Sequence, residues 1–171
     1  MGNKKIVKVL NDKFFADLFY NQITLLRNSD GYTNTKMKKI FCDSVREWSN
    51  TPPIYISKKV AEHFIQNHPN INPFMVNHRP RNKYGIPVIL EHTTPVIELV
   101  NELLETNSID EVFSVMNNNT PMSIISKEEH ITLEKMGFEK CRPEGWVKTY
   151  KICDIDVLTE NEYKKHLADS N

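Results

Sequence analysis

Residues 67–85, NHPNINPFMVNHRPRNKYG, hold three prolines and no helical or strand period. Such a stretch reads as a long loop, and it separates two differently patterned parts of the chain. Before it, the apolar residues fall at helical spacing. Residues 11–28 have them at 14, 15, 18, 19, 23, 25 and 26, with Asn11 or Asp12 as a cap and Gly31 as the stop. Residues 34–49 place Met37, Ile40, Phe41, Val45 and Trp48 on one face, and NTPP at 50–53 breaks the pattern. Ser57 is then the expected cap of a third helix, KKVAEHFIQNH, which Pro69 ends. His63 and His68 are five apart on that helix, about 140° around it, and so make a poor metal pair.

After the loop, IPVILEH at 86–92 has the apolar run of a buried strand, with Pro87 favouring an edge or a strand start. Pro95 suits the first turn of a helix over VIELVNELLET, and a second short helix follows from Ser108. MSII at 122–125 is a short strand, and Ser126 with Glu129 forms a capping box for KEEHITLEKM, with Gly137 at the C-cap. A strand near KTYKICDIDV and a capped helix from Thr159 complete the chain, while Trp146 reads as an anchor on the core. The fold expected is α+β. A helical, basic part over 1–80 precedes a core and C-terminal strand-helix addition over 81–171, as two parts or one integrated domain.

No apolar run approaches the 18 or so residues of a membrane span, and the N-terminus lacks the apolar stretch of a signal peptide. Cys42, Cys141 and Cys153 are far apart, without a CxxC, so neither a disulfide framework nor a structural zinc is expected. A cytoplasmic protein fits these features. The formal net charge of zero conceals an asymmetry: 14 Lys/Arg against 6 Asp/Glu up to Tyr84, then 8 against 16 from Gly85. Either the two halves present faces of opposite sign, or they pair and leave no net field.

The strand at 86–92 ends on Glu91-His92, two groups that bind metals or move protons, and Pro95 follows. LEHTTPV resembles the acidic-His-x-x-Pro strand end of the HNH, or His-Me finger, nuclease superfamily. MSIISKEEHITLEK is similar to its second strand and ligand helix, with the asparagines at 117–119 ahead of that strand. The resemblance covers residues 84–136. It implies a ββα-metal-like core and metal-dependent hydrolysis of DNA phosphodiester bonds. His92 would be the general base that activates water, oriented by Asn119, and Glu91 and His130 would be ligands of one divalent ion, Mg²⁺ or Mn²⁺. His78, Arg79, Arg81 and Lys83, in the loop just before the strand, would grip the phosphate backbone, and the N-terminal helices would add DNA contacts or a homodimer interface. Small stand-alone nucleases of this kind occur in phages and restriction systems.

Other chemistries lack their signatures. There is no glycine-rich phosphate loop, no G-x-S-x-G, and no Glu-x-Lys downstream of Asp154 and Asp156. The rival reading is a non-enzymatic protein-binding module, a phage- or defence-related inhibitor or adaptor, that uses its acidic C-terminal half. Under it Glu91-His92 is a surface pair and His130 a solvated residue beside Glu134.

Overall fold

The computed structural model describes residues 2–76, 83–118 and 122–170. Its elements run α1 (Gly2–Arg27), α2 (Gly31–Ser49), β1 (Tyr55–Ser57), α3 (Lys58–Asn67), β2 (Val88–His92), α4 (Val96–Glu105), α5 (Ile109–Asn118), β3 (Met122–Ser126), α6 (Lys127–Lys135), α7 (Gly145–Ile152), β4 (Val157–Thr159) and α8 (Glu160–Asp169). The fold is α+β, with one four-stranded mixed sheet. None of the described helices is long and apolar enough to cross a membrane.

Two compact units share the chain. The helical unit comprises residues 1–50 and 96–119, and the sheet unit 51–95 and 120–171. In the helical unit, Phe19, Ile23, Phe41, Val45, Leu99, Leu103, Val112 and Met116 form one buried core. Counted by unit, the charge asymmetry vanishes: 9 Lys/Arg against 10 Asp/Glu in the helical unit, 13 against 12 in the sheet unit.

The sheet has the order β2-β3-β1-β4, so β2 is an edge strand, as Pro87 suggests. β3 is buried at all five residues, pairs antiparallel with β2 and runs parallel to β1. Alternation gives the sheet two apolar faces. Val88, Ile124 and Ile56 pack with Val60, Phe64 and Tyr163 on one side. Ile89 and Ile125 pack with Leu133, Tyr150 and Trp146 on the other. Trp146 is an anchor as expected, its ring 4.9 Å from Tyr55 and 5.6 Å from Tyr150.

Three of the strands pass directly into helices through a hydroxyl cap. Ser57, Ser126 and Thr159 accept from the backbone N–H groups of Val60, Glu129 and Glu162, satisfying donors that every helix N-terminus leaves open. The caps of α3 and α6 are also joined: Glu129 Oε2 accepts from Ser57 Oγ at 2.8 Å and from the Ser126 N–H at 2.7 Å. α6 ends in a Schellman turn, with Gly137 at φ 80° and bonds from Gly137 N to Glu134 O and Phe138 N to Leu133 O.

Two local expectations fail. α1 begins at Gly2, so Asn11 and Asp12 are interior to it and not its cap; Lys and Leu in the preceding residues favour helix enough to extend it. KTYKI is helical in α7, with Cys153 as its C-cap, because Tyr150 and Cys153 bury one face three residues apart; the strand expected near here is confined to β4, at the end of that stretch. Asp154 at φ 56° then turns the chain into β4.

Candidate functional site

The sequence places Glu91 near the end of β2 and His130 at the fourth position of α6, and the fold brings their side chains together. β2 and β3 pair in register with Glu91 opposite Ser123. The Ser126 cap then starts α6 immediately after β3, which carries His130 back over the face bearing Glu91. His130 Nδ1 lies 3.0 Å from Glu91 Oε2. On the far side of the ring, Nε2 lies 3.2 Å from Glu134 Oε1.

A third residue, Arg142, completes this centre. Its side chain is only 1% exposed, and it meets Glu91 Oε1 at 2.5 Å. The same guanidinium donates to the His92 carbonyl at 2.6 Å and to the Thr93 carbonyl. Its carbon lies 5.5 Å from the centroid of the Tyr150 ring, and the Tyr150 hydroxyl shares a 2.7 Å hydrogen bond with Ser123 Oγ. Glu91 thus has a different basic side chain on each carboxylate oxygen. Burial alone would push its carboxyl up, but the contact with His130 and the charge of Arg142 outweigh this and hold it below the usual range. The Glu91 contact raises the His130 imidazole against the opposing effect of burial, with Glu134 adding to the rise. Nothing local in the sequence marks Arg142, since its partners are about 50 residues away.

His92 is the last residue of β2 and is still in the ladder, opposite Met122. Alternation therefore starts its side chain from the face of the strand opposite to that of Glu91. Asn119 and the loop residues His78, Arg79 and Arg81 lie outside the described residues. Lys83 is exposed, with its Nζ 5.2 Å from the centroid of the Tyr84 ring. This end of the loop is held by two histidines that sequence spacing sets apart. His68 lies beyond α3 as its C-cap, and the Nε2 atoms of His63 and His68 sit 2.7 and 2.9 Å from the Tyr84 carbonyl. Both rings must carry their proton on Nε2 to donate there. Gly85, at φ 79°, makes the accompanying turn.

Among the described residues, no group of three or more His, Cys, Asp or Glu side chains is placed to hold a metal ion. A two-donor edge is present. The 3.0 Å between Glu91 Oε2 and His130 Nδ1 matches the edge between neighbouring ligands of an octahedral ion with bonds of about 2.1 Å. Magnesium commonly takes one or two protein ligands and keeps several waters. Glu134 is on the other side of the imidazole and does not join this edge. His130 would have to release its Nδ1 proton for such a role. No protein-family model matches the chain, and neither does any curated protein or solved structure.

Proposed function

We propose that the sheet unit is a ββα-type, metal-dependent endonuclease acting on DNA, with Glu91 Oε2 and His130 Nδ1 as its ion-holding pair. The observation that supports this reading is the 3.0 Å approach of a carboxylate and an imidazole from two elements 39 residues apart. A bound divalent ion supplies charge to the scissile phosphate and the leaving oxygen. The remaining work belongs to the chain. His92 takes the proton of the attacking water on an imidazole nitrogen, with Asn119 orienting the ring. Lys83, with His78, Arg79 and Arg81, contacts the phosphates before the strand. The helical unit contributes further DNA contacts or a homodimer surface.

A second reading is favoured by two other observations. Arg142 and His130 already match both oxygens of Glu91, and His92 is on the opposite face of β2. In this reading the centre is structural and the protein is a non-enzymatic binding module. Its acidic surface would be residues 96–119, which hold five Asp/Glu and no Lys/Arg. Cleavage of supercoiled plasmid and single-stranded DNA, with Mg²⁺, Mn²⁺ or EDTA, separates the two. The nuclease reading expects metal-dependent nicking that His92→Ala and Glu91→Gln both abolish. Nicking that persists in both variants would remove these residues from the chemistry, and no cutting by the wild type favours the binding module.

A further inference from the structure

We propose that Arg142 is the positioning residue of the Glu91–His130 pair, holding the carboxylate so that Oε2 alone faces the imidazole. This inference rests on the ion-binding reading above. Three bonds from one buried guanidinium, to Glu91 Oε1 and to the carbonyls of His92 and Thr93, tie the carboxylate to the backbone that ends β2. A guanidinium presents its donors in a rigid planar fork, so the direction of the Glu91 side chain is set relative to its own strand. The fork is itself held. It lies over Tyr150, and Tyr150 is bonded through its hydroxyl to Ser123, the residue opposite Glu91 in the ladder. The contacts close a circuit from Glu91 through Arg142, Tyr150 and Ser123 back to the neighbouring strand. Glu91 Oε2 remains directed at His130 Nδ1.

Position and charge make different demands. If Arg142 supplied only a positive charge, lysine would replace it without consequence for ion binding. If it sets geometry, lysine fails, because the carbonyls are held by Nη1 and the carboxylate by Nη2, and one ammonium nitrogen cannot stand at both points. The test is Mn²⁺ titration of the full chain, followed by electron paramagnetic resonance, for wild type, Arg142→Lys and Glu91→Gln. Each is measured well below its thermal unfolding midpoint. We expect folded Arg142→Lys to bind Mn²⁺ about ten-fold or more weakly, the scale on which residues behind metal ligands act. Wild-type affinity in Arg142→Lys would overturn the positioning role. Absence of Mn²⁺ binding in the wild type, or binding that Glu91→Gln leaves unchanged, would instead overturn the ion-binding reading and the inference with it. Should Arg142→Lys not fold, wild-type crystals soaked in Mn²⁺ decide. An ion on Oε2 with Arg142 still on Oε1 supports the proposal, and an ion on Oε1 with Arg142 displaced contradicts it.

Discussion

Glu91 and Arg142, 51 residues apart in the chain, meet at 2.5 Å in an ion pair whose arginine is almost wholly buried. Burying these charges is tolerated because one carboxylate oxygen meets guanidinium Nη2, the other meets His130, and Nη1 donates to two backbone carbonyls.

Removing the arginine leaves a desolvated carboxylate and two carbonyls without their donor. Arg142→Met should therefore destabilise the protein by about 3–5 kcal/mol, the range for breaking a buried pair from one side. Urea unfolding measures this. In a Glu91→Gln background the same substitution should cost less, because the uncompensated carboxylate is gone. Equal losses in both backgrounds would show that Arg142 acts through the carbonyls alone.

The pH dependence follows from two opposite shifts. His130 is raised above its ordinary value of about 6.5, so its contribution is fully present below that value and is lost as pH rises through the folded pKa. Glu91 is lowered from its ordinary value of about 4.3, so its contribution is present above that value and is lost as pH falls through the folded pKa. The stability difference between wild type and His130→Gln should be greatest at about pH 5–6 and shrink on both sides. Denaturant unfolding across that range checks it, and a difference that grows steadily with pH would rule out the pairing.

Ser57 has two tasks, capping α3 through Val60 N–H and donating to Glu129, whose carboxylate also bonds the backbone of Ser126. Ser57→Ala should lose about 1–2 kcal/mol, at the upper end for a helix cap. Ser126→Ala tests the other cap. Thermal unfolding of both, and of the pair, should show non-additive losses through the shared Glu129.

Much of this architecture is legible in the sequence because its signals are local. The Ser57, Ser126 and Thr159 caps, the Gly137 stop and the edge position of β2 can each be read within a few residues. Glu91 and His130 are also readable, since both stand at the ends or starts of such elements. What is not local is hidden. Nothing in VIELVNELLE or IDEVFSVMNN shows that α4 and α5 pack with α1 and α2; an amphipathic helix specifies a buried face but not its partner. Arg142, the most buried charge at the centre, looks in sequence like any basic loop residue. The register that puts His92 on the strand face opposite to that of Glu91 depends on where the ladder ends, and the sequence leaves that open.

Calorimetric titration of the intact protein with Mn²⁺ at two pH values, in buffers of different ionisation enthalpy, reads whether the Glu91–His130 pair holds a divalent ion. If Glu91 Oε2 and His130 Nδ1 hold the ion, binding should be single-site, tighten as pH rises, release a proton where His130 is charged, and disappear in His130→Ala and Glu91→Gln. Absence of saturable binding, or binding unchanged in both variants, would contradict the account and leave the centre as a structural ion-pair network.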